Sequence, residues 1–157
     1  MAKTKHESTP HAKMLLVALR SVGYTNETAI ADIIDNSISG AATEIELYFD
    51  WDNRRIIIAD NGFGMQYEEL LEAMEIGSAD PNEVRPSEDL GRFGLGMKTA
   101  TFSMAKNLLV ITKKNNQISN AEWDLDEVAH EDKWELSEYD DNQIHDVLSS
   151  VDSLVDY

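Results

Sequence analysis

Asp60-Asn61-Gly62-Phe63-Gly64-Met65 follows directly on the apolar run Arg55-Ile56-Ile57-Ile58-Ala59. Three successive isoleucines closed by a polar, glycine-containing segment read as a strand inside a sheet. The two glycines let the backbone turn sharply where that strand ends and let a flat ligand come close. Asp60 would then stand at the mouth of a pocket, where a carboxylate accepts a hydrogen bond from an exocyclic amine and so reads adenine over guanine. The same residues also read as an ordinary Asn-Gly hairpin turn, and by themselves they do not choose between the two.

Working upstream, Thr43 to Asp50 alternates, with Ile45, Leu47 and Phe49 facing one way and Glu44, Glu46 and Tyr48 the other. This predicts a half-buried strand joined through a turn at Trp51 to Arg54 to the isoleucine strand. Before it, a helix starting near Thr25 or Asn26 and ending at Gly40 carries Ile30, Ile33, Ile34 and Ile38 on one stripe. Its other face holds Asp32, Asp35, Asn36 and Ser39. An earlier helix is expected with Thr9 as N-cap, Pro10 as first position, an apolar run from Met14 to Leu19 and a stop at Gly23.

Downstream, a short helix is expected over Tyr67 to Met74, and a mobile loop over Gly77 to Leu90, where Pro81, Pro86 and many charges cluster. Gly91-Arg92-Phe93-Gly94-Leu95-Gly96-Met97-Lys98 feeds a small-residue helix through Ala105. Strands at Leu108 to Thr112 and Ile118 to Leu125 flank a turn at Lys113 to Gln117. From Asp126 onward the chain is strongly acidic, Lys133 being its one Lys or Arg, with a helix expected near Ile144 to Leu154.

A length of 157 residues suits one compact domain. The formal charge of -17, from 30 acidic and 13 basic residues, argues against direct nucleic-acid or anionic-membrane binding, which select Lys and Arg patches. A bound nucleotide is a different case, since a few glycines, one Lys and magnesium hold phosphates within an acidic protein. No cysteine is present, which removes disulfides and thiolate chemistry. A polar N-terminus and the lack of a long apolar run point to a cytoplasmic chain.

Two further constellations carry chemistry. Asp32 and Asn36, four residues apart, share one helix face. Asn36 offers a carbonyl oxygen suited to Mg2+, and Asp32 a carboxylate able to orient and deprotonate a water, although a merely solvated face looks the same. Gly91, Gly94, Gly96 and Lys98 place bare N-H groups and a cation before a helix, an arrangement that binds phosphate. Their spacing is neither that of a P-loop nor that of a Rossmann fingerprint, and a lone glycine cluster also makes an ordinary tight loop.

Taken together and in this order, the three segments resemble the GHKL ATPases, the family of gyrase, heat-shock chaperone, histidine-kinase and MutL ATPases. Ala31 to Ser37 is similar to its N-box, Asp60 to Met65 to its adenine-reading box, and Gly91 to Lys98 to its phosphate-binding lid. The wording Ile-Ile-Asp-Asn-Ser is most similar to MORC-like and bacterial ATP-binding proteins of that kind. The resemblance implies an α/β two-layer sandwich with a mixed, mainly antiparallel sheet and helices on one face. It implies ATP and Mg2+ as ligands, with Asn36 on the metal, Asp60 on the adenine amino group, and Gly62, Gly64 and Met65 around the base. Phe93, Gly94, Leu95, Gly96 and Lys98 would hold the phosphates, and Gly77 to Leu90 would close over ATP.

Asp32 falls where many members carry the general-base Glu. Its shorter side chain implies slow hydrolysis, or a non-hydrolysing module whose ATP-dependent closure recruits a protein partner. Members often form an ATP-dependent homodimer. They usually end the domain with a Gly-Thr-containing strand, and no such segment precedes Tyr157, which is the pattern of a truncated piece or a minimal variant. The division expected is a polar arm over 1–9, the ATP-binding domain over 10–125 and an acidic segment over 126–157. A histidine kinase catalytic domain is the lesser alternative, because His6-Glu7-x-x-Pro10 is one residue short of that family's phospho-acceptor spacing.

Overall fold

The computed structural model describes residues 10–21, 25–76 and 96–149, together with Thr4 and His6. The expected helix stop at Gly23, the loop at Gly77 to Leu90, the residues Gly91, Phe93, Gly94 and Leu95, and the chain after Ser149 lie outside the described residues.

Helix α1 (Ala12–Arg20) buries Ala12 and Leu16, one turn apart. It begins two residues later than Pro10 would start it, with His11 as N-cap and no cap from that side chain. Helix α2 (Asn26–Ser39) is capped as expected by Thr25, whose hydroxyl accepts from the Thr28 N-H at 3.3 Å. Its fully buried positions are Ala29 and Ser37, two turns apart, while Ile38 is 53% exposed. The isoleucine stripe is therefore rotated from the face that packs. Helix α4 (Gly96–Met104), whose Thr99, Ala100 and Thr101 are buried, packs closely against α2.

Strands β1 (Ile45–Asp50) and β2 (Arg55–Asp60) pair antiparallel with Ile45 opposite Asp60 and Asp50 opposite Arg55. The expected alternation is present with its faces exchanged: Leu47 and Phe49 are exposed, and Glu46 and Tyr48 half-buried. Phe49 stacks on Trp51 with ring centroids 5.7 Å apart, so each aromatic covers part of the other. Past the last backbone pair, Asn61 Oδ1 accepts from the N-H groups of Thr43 and Glu44 at 2.9 and 3.0 Å, extending the hairpin through a side chain.

Helix α3 (Tyr67–Met74) follows, with Glu69 reaching back to the Gln66 N-H at 2.6 Å. Strands β3 (Asn107–Lys114) and β4 (Gln117–Asp124) form the second hairpin through Asn115 and Asn116. Both asparagines have positive φ, 53° and 62°, as a two-residue turn matching strand twist requires. The strand pairs that the described residues make are antiparallel, consistent with the mainly antiparallel sheet implied by the resemblance. The two pairs, β1 with β2 and β3 with β4, are separate. The reason lies at the end of β2, where the chain turns through Gly62 and Gly64. It meets β3 through the Met65 N-H and the Thr112 hydroxyl, 2.8 Å apart, instead of through a backbone ladder.

The acidic segment is built onto this frame. Asp124 caps α5 (Leu125–Glu131) by accepting from the N-H groups of Asp126 and Glu127. Ser137 exchanges backbone bonds with Glu122 of β4, and Ile144 of α6 (Asp141–Ser149) is buried. The core joins Leu16, Leu70, Met74, Phe102, Ala121, Trp123, Leu125 and Val128, so α1, α3, α4, β4 and α5 contribute to one apolar interior. Trp123 places its indole N-H on the Met74 carbonyl at 3.0 Å, satisfying its polar edge, and Trp134 meets it edge-on.

Candidate functional site

The C-terminal half of α2 and the end of β2 come together. Ser37 is 7% exposed and donates its hydroxyl proton to Asp60 Oδ2 at 2.8 Å. The other oxygen, Asp60 Oδ1, accepts from the Gly62 N-H at 2.9 Å, an Asx turn that holds the carboxylate over the chain following it. Each oxygen thus has one donor, and a carboxylate has capacity for about four. The group is fixed in place with acceptor capacity left over, at the exposed end of the strand.

The glycines of this turn are required by close approach. A Cβ at Gly62 would lie 2.7 Å from the Gly40 carbonyl oxygen, the same oxygen that accepts from the Phe63 N-H at 3.0 Å. Gly64 has φ +63°, and a Cβ there would stand 2.2 Å from the Lys113 carbonyl oxygen. The turn is wedged between the end of α2 and the end of β3. Met65, half-buried, lies against the hydrophobic core and gives its N-H to Thr112.

On α2, the Asn36 Nδ2 donates to the Asp32 carbonyl at 2.8 Å. Only the amino end of an amide can donate, so Oδ1 is the atom directed away from the helix backbone. Asn36 is exposed and Asp32 half-exposed, which leaves both side chains open to a ligand. A hard carbonyl oxygen presented this way suits magnesium. Among the described residues no group of three or more His, Asp or Glu comes together as a metal site of its own.

Lys98 stands apart from this cluster. It is 2% exposed, and its Nζ donates to the carbonyls of Ala73 and Glu75, at 2.7 and 2.6 Å, at the C-terminal end of α3. Burial pulls its amine down to about 8 from 10.5. Gly96 opens α4, and Phe93, Gly94 and Leu95 fall outside the described residues. Sequence reasoning missed the parts played by Ser37, Gly40 and Thr112. Ser37 directly follows Asn36, but its bond to Asp60 spans 23 positions and no local spacing announces it.

Residues 24–155 match the family described as histidine kinase-, DNA gyrase B-, and HSP90-like ATPase. The chain is 33% identical over 94 residues to ATPase morc-1 of Caenorhabditis elegans, covering 59% of this chain and 11% of that protein. It is 26% identical over 127 residues to ATPase MORC2B of Mus musculus, covering 76% of this chain and 12% of that protein. It is also 28% identical over 147 residues to chaperone protein HtpG of Bacillus licheniformis, covering 76% of this chain and 23% of that protein. The chain thus spans between 11% and 23% of the length of these relatives. With the family match running over most of its length, the chain belongs to the histidine kinase-, DNA gyrase B- and HSP90-like ATPases, whose domain is an α/β sandwich.

Proposed function

We propose that this chain binds Mg-ATP between α2 and the turn after β2 and hydrolyses it slowly, using the nucleotide to drive a conformational switch. The observation that carries the reading is the Asp60 carboxylate, held on one oxygen by Ser37 and on the other by Gly62 yet with acceptor capacity remaining. Fixed so, it accepts a hydrogen bond from the adenine amino group, a donor that guanine lacks at that position. Asn36 Oδ1 would hold magnesium, which suits a hard carbonyl oxygen. Magnesium, when bound, offsets phosphate charge beside an acidic protein. The Asp32 carboxylate, one helical turn from Asn36, orients the attacking water and takes its proton. Lys98 contributes to phosphate binding only by giving up its carbonyl partners on α3.

The shorter reach of Asp32 also supports a second reading, an ATP-dependent interaction module without turnover. In either reading, an ATP-dependent homodimer or an unidentified protein partner would receive the switch. Calorimetric titration of Mg2+ and a non-hydrolysable ATP analogue into the chain, beside Asp60→Asn, tests the site. Saturable binding should appear in the wild type and weaken at least tenfold, about 1.4 kcal/mol, in the variant. Equal affinity in the two proteins removes the adenine assignment. Asp32→Ala should keep binding and lose phosphate release; if the wild type itself releases no phosphate under single-turnover conditions, the second reading stands.

A further inference from the structure

We propose that Thr112 is a positioning residue for the nucleotide site: its buried hydroxyl fixes the turn that carries the Asp60 carboxylate. The proposal rests on the ATP-site reading above and adds a residue no motif of that reading contains.

Ser37 holds Asp60, and Asn61 is held to Thr43 and Glu44; beyond these, three hydrogen bonds hold the turn from Gly62 to Met65. The Phe63 N-H reaches the Gly40 carbonyl at 3.0 Å, the Gly62 N-H reaches Asp60 Oδ1 at 2.9 Å, and the Met65 N-H reaches Thr112 Oγ1 at 2.8 Å. The first ties the turn to α2 and the last ties it to β3, so the turn is suspended between two elements that share no backbone ladder. Thr112 is 9% exposed, which limits the access of water as a substitute acceptor for the Met65 N-H. The backbone next to it presses against Gly64, whose missing Cβ would stand 2.2 Å from the Lys113 carbonyl oxygen. That approach is what brings the turn within reach of a side chain as short as threonine.

The neighbouring contact is separable. Lys114 Nζ reaches Glu69 Oε2 at 2.7 Å, and this holds the first turn of α3, not the glycines, to the same strand end. Removing the Thr112 acceptor therefore leaves α3 anchored and leaves the Met65 N-H unpaired in a confined place. The turn then relaxes its hold, and because the Gly62 N-H holds Asp60 Oδ1, one of the two bonds that set the direction of the carboxylate loosens with it, the bond from Ser37 remaining.

Thr112→Val keeps the shape and removes the acceptor, and Thr112→Ser keeps the acceptor. Calorimetric titration of Mg2+ and a non-hydrolysable ATP analogue should find T112V weakened about tenfold and T112S within about twofold of wild type. Amide exchange at Met65 should quicken in T112V alone. Wild-type affinity in T112V, measured while Asp60→Asn has lost binding, overturns the role of Thr112 and leaves the site reading intact. Should T112V not fold, the wild type still decides: an unprotected Met65 amide overturns the proposal. A folded wild-type chain that takes up no nucleotide overturns the reading on which the proposal rests, and the role of Thr112 with it.

Discussion

The amine of Lys98 sits where solvent barely reaches, donating to Ala73 and Glu75 at the end of α3. Carbonyls in the last turn of a helix have no partner within it, and a cation there also answers the negative end of the helix dipole. Desolvation opposes that gain, and it is the principal cause of the amine's fall to about 8. Lys98→Met removes both bonds together with the desolvation cost, and urea denaturation at pH 7 should show a deficit of about 1 kcal/mol. The sign with pH follows from the lowered value. Between about 8 and 10.5 the unfolded chain holds the proton that the folded chain releases, so the wild type gains stability from this group as pH rises through that window. The deficit of Lys98→Met should widen correspondingly toward pH 10. A deficit independent of pH would mean that the amine is not desolvated.

Among the elements, α1 depends on a cap from another helix. His11 offers its first turn no side-chain bond, and that turn contains no acid. Asp132, at the left-handed C-cap of α5, accepts from the Lys13 N-H at 3.3 Å and pairs with His11 Nδ1 at 2.6 Å. Hydrogen bonding to Asp132 raises the His11 imidazole above its usual 6.5, and the same bond lowers the Asp132 carboxyl. A raised histidine stabilises the fold fully below its unfolded value and loses that contribution as pH climbs through its folded value. Amide protection in the first turn of α1, corrected for intrinsic exchange, should therefore fall from pH 6 toward pH 8, and His11→Gln should flatten the change. The far end of α1 should not respond, because Arg20, nine residues from His11, holds it by donating to the Ala105 carbonyl. Equal protection at the two pH values would remove His11 from the docking of α1.

At the scale of the whole molecule, a charge of -17 is a standing repulsion that every fold of this chain must contain. The ion pair of Lys106 with Asp126 is exposed and that of Lys114 with Glu69 partly so, and each contributes little. Screening should consequently outweigh the weakening of such pairs. Raising sodium chloride from about 20 to about 300 mM, which shortens the Debye length from roughly 20 to 6 Å, should raise the thermal midpoint by a few degrees. A midpoint that falls with salt would show that paired charges, not repulsion, dominate.

What lay within a few residues was legible in the sequence. Thr25 announced the start of α2, the alternation from Thr43 announced β1, and the order of the three glycine and acid segments announced a family that the match over residues 24–155 bears out. The pairing of β1 with β2 and of β3 with β4 followed because short turns leave adjacent strands little else to meet. Tertiary structure decided the remainder. It set Ala29 and Ser37, not the isoleucine stripe, as the most buried positions of α2, and turned Leu47 and Phe49 outward. It also bound Ser37 to Asp60 across 23 positions, Met65 to Thr112 across 47, and Lys98 to α3. Periodicity reports which residues share a face but not which face finds the closest neighbour. That choice depends on how near two backbones can come, which small residues on elements distant in sequence settle together.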